Sequence, residues 1–305
     1  MNKVYKNFVF SDVHGNYDAL IKSLLDAGYD DSNPTHRLIS IGDAFDRGPR
    51  SLDIYRLLSR TRSIAIKGNH DEFFQEFLEK GSDGEFVLFN ILHNGLGETI
   101  KSFGRLDDDF FKVFKPEDLD RIRDNILNTY GGLRRDIQKM PLYFETKNFI
   151  FCHAGINGKL SDWRDTPKDF MLWDITQTHL PCQNTNKFVV IGHHHVDQVA
   201  ENAISTGIGF GKMTESNGRV SYRVGNEKKT IASFGNQDKF APIRIGNKIA
   251  IDGCVSLSNK VNVLVIEDED LSDEQENETT VRVNLNNGFT YCDGIINDDI
   301  YVRFH

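Results

Sequence analysis

Gly42-Asp43-Ala44-Phe45-Asp46-Arg47-Gly48 is the stretch on which the reading of this chain turns. The apolar run in front of it, Leu38-Ile39-Ser40-Ile41, reads as a short buried strand, and Gly42 marks the turn that ends it. Asp43 therefore stands at the carboxyl end of a strand, where open α/β sheets bind ligands because loops from several strands converge there. Four other stretches repeat the arrangement. Phe8-Val9-Phe10 runs into Ser11-Asp12-Val13-His14-Gly15-Asn16, and Ile64-Ala65-Ile66 into Lys67-Gly68-Asn69-His70-Asp71. Phe149-Ile150-Phe151 leads to Cys152-His153-Ala154-Gly155, and Val189-Val190-Ile191 to Gly192-His193-His194-His195. Each run delivers Asp, Asn or His, and the expectation is that all of them reach one rim.

Oxygen and imidazole donors in this number, with no cysteine among them, suit a hard or borderline divalent ion: manganese first, with iron or zinc as the other candidates. Asp43 is placed centrally, and a central carboxylate can bridge a pair, so two ions are expected. Asp12 and His14 lie two residues apart and can face one point from an extended loop, although an isolated Asp-x-His is more often a turn.

Taken together and in order, Asp12-Val13-His14-Gly15, Gly42 to Gly48, Gly68-Asn69-His70-Asp71, His153-Ala154-Gly155 and Gly192-His193 resemble the calcineurin-like metallophosphoesterases. Within them the likeness is to the phosphoprotein phosphatase type, in its bacterial or phage serine/threonine phosphatase or diadenosine tetraphosphatase-like branch. It covers about residues 8 to 200 and a short late strand, Ile251-Asp252-Gly253-Cys254. Gly207 to Asn247 and the tail beyond Ile266 have no counterpart in it. The resemblance implies an α/β (α+β) chain with the four-layer metallo-dependent phosphatase fold, two packed mixed β-sheets flanked by helices. It also implies Asp12 and His14 on a first metal, Asp43 as the bridge, and Asn69, His153 and His193 on the second.

His70 follows Asn69 directly, and adjacent residues leaving a strand point different ways, so Asn69 can face metal while His70 faces substrate. A catalytic histidine needs a carboxylate that favours its charged form; by resemblance Asp46 supplies it. Arg47 carries a planar fork of donors suited to phosphate oxygens, with Asn69 beside it. The implied mechanism is direct attack by a metal-bridging hydroxide, with protonated His70 donating to the leaving oxygen and no phospho-enzyme. The implied substrate is a phosphoserine or phosphothreonine protein, with diadenosine tetraphosphate or another nucleotide as the alternative. A non-catalytic binding module would show a lost ligand or acid, and every matched position is intact. One departure stands out. Many relatives carry a second arginine soon after a Leu-Trp pair, whereas Leu172-Trp173 is followed here by Asp174-Ile175-Thr176. Arg134, Arg135 and Arg164 could replace it, though each reads first as a surface charge. Of the triple histidine, His194 and His195 read as structural or merely near the rim.

The 305-residue chain is 39% hydrophobic and 27% charged, ordinary values for a soluble globular protein, and its net charge of −9 argues against binding long nucleic acid. No apolar run is long enough to span a bilayer, and the first residues lack a signal-peptide apolar region, so no membrane partner and a cytoplasmic location are expected. Cys152, Cys182, Cys254 and Cys292 form no Cys-x-x-Cys pair and read as reduced thiols. Oligomeric state is not legible. A single domain over residues 1–305 is expected, with a helical cap at about 72–140 and a β-rich part at about 205–305 forming a second sheet. Ser51 is expected to cap a helix over 52–60, Glu72 to Lys80 reads as a helix, and Gly81 to Arg105 is less regular. The acidic stretch Glu267 to Glu278 reads as a solvated loop, with docking of a basic partner as the other reading.

Overall fold

The computed structural model describes residues 4–213, 220–224, 227–236 and 238–271. It opens with β1 (Val4–Phe10), α1 (Tyr17–Asp26), β2 (His36–Ile41), α2 (Ser51–Arg60), β3 (Ser63–Ile66) and α3 (Asn69–Lys80). β1, β2 and β3 pair in parallel, as strands joined by helical crossovers do. A helical stretch follows, with α4 (Val87–His93), α5 (Leu96–Gly104), α6 (Phe110–Val113), α7 (Pro116–Thr129) and α8 (Leu133–Gln138). Gly81 to Arg105 is thus largely helical, because Val87, Ile91, Leu96, Ile100 and Phe103 form a buried face across two short helices that the glycines obscure in the sequence. β4 (Tyr143–Glu145), β5 (Phe149–Cys152), α9 (Lys168–Trp173), β6 (Phe188–Ile191) and α10 (Val196–Ser205) come next. The remainder is β7 (Gly211–Lys212), β8 (Val220–Val224), β9 (Glu227–Phe234), β10 (Ile243–Ile245), β11 (Lys248–Ala250), α11 (Val255–Ser258) and β12 (Val263–Glu269).

Two mixed sheets result, in the orders β3-β2-β1-β12-β9-β8 and β4-β5-β6-β11-β10-β7. The β-rich last third therefore does not build a second sheet by itself. β12 pairs antiparallel with β1 at the centre of one sheet, and β11 pairs parallel with β6 at the centre of the other. Alternation along each strand explains the layering. Val9, Ile39 and Ile41 face Phe149, Phe151, Val190 and Ile249 between the sheets. Phe8, Phe10 and Leu38 point the other way, under α1, α2, α3 and α5. Ile150, Val189 and Ile191 on the outer face of the second sheet pack with Val196, Val199 and Ala203 of α10. Helices flank both sheets. The expected strands at Val281 to Leu285 and Tyr301 to Phe304, and Cys292, lie outside the described residues.

Two local expectations are corrected. Ser51 is the first residue of α2 rather than its cap, and its buried hydroxyl lies 3.1 Å from that of Thr99. The acidic stretch does not begin as a solvated loop: Glu267 to Glu269 complete β12. Asp268 is fully buried, accepting from Thr146 Oγ1 at 2.7 Å and Asn148 N at 2.9 Å. Asp270 takes a two-pronged hydrogen bond from the buried Arg37, at 2.9 and 2.7 Å. Asp268 lies in β12 and Asp270 in an isolated bridge to Thr146 just beyond it, and each has a buried partner on a neighbouring strand or turn, which charge content cannot reveal.

Candidate metal and phosphate site

The carboxyl ends of β1, β2 and β3 in one sheet and of β5 and β6 in the other meet, so the rim expected from sequence is shared between two sheets. A cavity of about 230 Å³ lies there, lined by Asp12, His14, Asp43, Asn69 and His193 among others. Asp43 is central: its Oδ2 stands 3.6 Å from His14 Nε2 and its Oδ1 3.3 Å from His153 Nε2. One carboxylate thus offers one oxygen to each of two histidines, the disposition a bridging ligand needs. Donor atoms of Asp43, His153 and His193 fall in one cluster, and those of His14, Asp43 and His70 in another. Asp12 lies outside both clusters, although it lines the cavity; its Oδ2 accepts from His193 N at 3.0 Å and from the Ser11 hydroxyl. Asn69 Oδ1 is 3.0 Å from His153 Nε2.

The histidine tautomers follow from their other contacts. His14 Nδ1 donates to the Phe45 carbonyl at 3.0 Å and His153 Nδ1 to the Ile41 carbonyl at 2.9 Å, leaving each Nε2 lone pair aimed inward. His193, lowered to about 4 by burial and then by His153, also stays neutral, as a ligand must. Burial, followed by the charges of Asp12 and Asp71, pushes the Asp43 carboxyl well above its usual range. Buried oxygens that repel one another, beside inward-facing imidazole lone pairs, fit divalent cations.

Backbone strain is concentrated here. Among the described residues nine non-glycine residues have positive φ, and six of them are Asp12, His14, Asp43, Asp46, Arg47 and His193. Such conformations persist only where surrounding structure holds them. Gly42 shows why the turn before Asp43 needs glycine: its φ is +101°, and a Cβ would lie 2.4 Å from His153 Nδ1. Asp71, not singled out in sequence, ties the turn to α3. It accepts from Asp43 N, Ala44 N and Gly68 N at 3.0, 3.2 and 2.7 Å.

Asn69 and His70 do not leave a strand; they open α3, and about 100° of rotation per helical residue separates their directions. His70 Nδ1 lies 2.8 Å from Asp46 Oδ2, and Arg47 Nη2 lies 3.0 Å from His70 Nε2. A guanidinium can only donate, so Nε2 accepts and Nδ1 carries the proton. The imidazolium expected for proton donation requires Arg47 to leave Nε2, and in this geometry the His70 ring is neutral. Burial is the main cause, with Arg47 next, and together they lower His70 to about 3. Burial pushes Asp46 up to about 8, against the Thr99 hydrogen bond and Arg47, yet both its oxygens are placed as acceptors, from Thr99 and from His70.

The triple histidine divides. His194 turns away and bonds Thr178 Oγ1 at 2.7 Å, whereas His195 lines the cavity with Nε2 3.8 Å from Asp252 Oδ2. Asp252 is buried and also lines the cavity; its strand was noted in sequence, but nothing there marked its carboxylate. None of the three arginines named as substitutes lines the cavity: Arg164 pairs with Glu145 at 3.0 Å, Arg135 lies 3.8 Å from Asp136, and Arg134 is exposed. Among the described residues, Arg47 is the cationic side chain lining this cavity. A second cavity of about 600 Å³ adjoins it, sharing Phe73, Asn94 and Trp173. Phe86 and Phe89 add apolar surface there, and Glu72, Glu76 and Glu79 outnumber Lys80.

A cavity ringed by strand-end carboxylates and imidazoles where two sheets meet is the setting of a hydrolase of phosphoesters, the class to which the family match assigns the chain. The chain belongs to the calcineurin-like phosphoesterase family, whose profile matches residues 6–199. It is 40% identical over 81 residues to serine/threonine-protein phosphatase 2 of Escherichia coli strain K12, a match covering 27% of this chain and 36% of that protein. It is 26% identical over 273 residues to bis(5'-nucleosyl)-tetraphosphatase PrpE (asymmetrical) of Oceanobacillus iheyensis, covering 79% of this chain and 98% of the relative. The chain thus spans little more than a third of the length of the first relative and nearly all of the second. A metallophosphoesterase from Sphaerobacter thermophilus superposes with a TM-score of 0.39 at 14% identity, over 93% of this chain and 99% of that one. Among the described residues, no helix is long and apolar enough to cross a membrane.

Proposed function

We propose that this chain, acting as one phosphoesterase domain, hydrolyses phosphate monoesters with two divalent ions, and that its substrate is a phosphoserine or phosphothreonine protein. The observation that carries the reading is Asp43, whose two oxygens face His14 on one side and His153 on the other, beside Arg47 and the His70–Asp46 pair. Asp12, His14, Asp43, Asn69, His153 and His193 would hold the ions, with manganese the expected pair. When bound, these ions supply an activated water and neutralise charge developing on the phosphoryl group.

The chain's own side chains account for the rest. Arg47 turns its fork from His70 Nε2 onto phosphoryl oxygens, which frees Nε2. His70 Nε2 then takes a proton from solvent and gives that proton to the leaving oxygen, with Nδ1–H kept on Asp46 Oδ2 throughout. Phe73 and Trp173 also line the cavity, with the Phe73 ring centroid 5.0 Å from that of His70.

The adjoining cavity favours a peptide. Its aromatic floor and surplus of glutamates suit apolar and basic residues flanking a phosphoserine. A dinucleoside tetraphosphate would bring several further negative charges toward that rim, with Arg47 as the lining cation. A nucleotide substrate is the second reading, because Phe73 and Trp173 offer rings on which a purine could stack. A turnover panel of phosphoserine peptides, diadenosine tetraphosphate and nitrophenyl phosphate with manganese separates them. Preference for the peptides by kcat/KM supports the first reading, and preference for the dinucleotide replaces it with the second. No turnover of any substrate overturns the proposal.

A further inference from the structure

Asn94-Gly95-Leu96-Gly97-Glu98-Thr99 lies directly over the loop that carries Asp46 and Arg47. Both of those residues have left-handed backbones, φ 72° and 63°, and two consecutive amides there are held from this segment. Asp46 N donates to Thr99 Oγ1 at 2.7 Å, and Arg47 N donates to the Gly95 carbonyl at 3.1 Å. Thr99 is fully buried, and its hydroxyl hydrogen goes to Asp46 Oδ1 at 2.9 Å. Ser51 Oγ, 3.1 Å away, is left to donate to the same oxygen, so every hydrogen-bonding direction of Thr99 is used. Asp46 Oδ2, the oxygen Thr99 leaves free, is the one that meets His70 Nδ1 at 2.8 Å. Gly95 has φ +87°, and a Cβ on it would stand 2.4 Å from Arg47 N and 2.7 Å from Arg47 Cα. No side chain fits there without moving the backbone that aims the guanidinium.

We propose that this segment is a positioning element of the hydrolytic site: Thr99 orients Asp46 toward His70, and Gly95 sets the backbone of Arg47. The two halves act on different events. Thr99 works through the proton donor, so its removal hurts substrates whose leaving oxygen is basic. Gly95 works through the phosphate grip, so its substitution hurts all substrates alike. Neither residue touches substrate or metal ligands other than through these neighbours. The inference rests on the assignment of His70 as proton donor and Arg47 as phosphate ligand.

The test compares Thr99→Val, Thr99→Ser, Gly95→Ala and His70→Asn with wild type on a phosphoserine peptide and on nitrophenyl phosphate, at saturating manganese. Thr99→Val keeps the shape and loses the hydrogen bonds. Its kcat on the peptide should fall ~10–100-fold, the worth of hydrogen bonds to a charged group, while KM, metal content and the nitrophenyl rate stay within about threefold of wild type. Thr99→Ser should restore the peptide rate, and Gly95→Ala should slow both substrates to a similar degree. Independently of turnover, the His70 Nδ1–H resonance should shift in Thr99→Val and return in Thr99→Ser. If His70→Asn shows the leaving-group bias and Thr99→Val does not, the inference is wrong while the assignment of His70 stands. If His70→Asn shows no bias, the assignment falls and the inference falls with it. An unmoved His70 resonance in folded Thr99→Val protein also overturns it.

Discussion

Replacing Asp43 with Asn should stabilise the protein in chelator and weaken it in manganese. The amide keeps the carbonyl oxygen that accepts from His70 N at 3.0 Å. Its NH₂ group takes the place of Oδ2, 3.6 Å from His14 Nε2, where a donor meets a lone pair because His14 Nδ1 is committed to Phe45. What is lost is a buried carboxyl that the fold, with Asp12 and Asp71 crowding it, must either hold protonated above its usual range or carry as a crowded charge, and removing that penalty is worth on the order of 1–4 kcal/mol. At roughly 2 °C per kcal/mol for a chain of this size, chelated Asp43→Asn should melt ~2–8 °C above chelated wild type. The sign of the pH dependence follows from the raised Asp43 pKa. Folded wild type holds this proton at pH values where the unfolded chain has released it, so its stability in chelator falls as pH rises above about 4. Asn has no such term, and the gap between the two proteins should widen from pH 5 to pH 8. Manganese reverses the order. At about a hundred times its Kd, each site adds ~2.7 kcal/mol to wild type, and the variant should gain little. Thermal melts with and without chelator, at several pH values, read all of this. A chelated variant that melts below wild type, or equal manganese shifts in both, would refute the reasoning.

His70→Asn should retain both metals by elemental analysis and slow peptide hydrolysis ~10²–10⁴-fold, since a proton donor is removed and no bridge is touched; metal loss matching that of Asp43→Asn would contradict this. Arg47→Ala should slow phosphoserine peptide and nitrophenyl phosphate similarly, because both present the same phosphoryl oxygens, and steady-state rates on the two substrates decide it. Asp270→Ala should cost ~3–5 kcal/mol in urea unfolding, because Arg37, only 2% exposed in its side chain, keeps a buried charge with its carboxylate gone. A change below about 1 kcal/mol would place that pair among the weak surface bridges.

The strand ends and the Asp, Asn and His side chains that stand there were legible because each apolar run is short and bounded by a turn signal; Ile41-Gly42-Asp43 and Ile191-Gly192-His193 need no partner to be read. Arg47 and Asp46 followed from the same stretch. Helices α1, α2, α3 and α7 were visible in their apolar spacing, whereas α4 and α5 were hidden by Gly95 and Gly97, which weaken a helical pattern wherever it is read locally. The second strand of each ladder was not legible. Val263–Glu269 could have paired with anything, and only burial of Leu264 and Ile266 between the sheets sets it beside β1.

The residues that act through others were the least visible. Thr99 is 53 positions from Asp46, and Asp252 lies over fifty from His195, so no spacing links either pair. The same holds for the state of His70: the motif says that it has a carboxylate, and only packing says that burial and Arg47 keep the ring neutral. Periodicity and turn chemistry act over a few neighbouring residues, and they determine which strands form and which side chains stand at their ends. Which ends meet, which oxygens face one cavity, and which hydroxyl holds the Asp46 carboxylate depend on contacts made only when the two sheets close on each other.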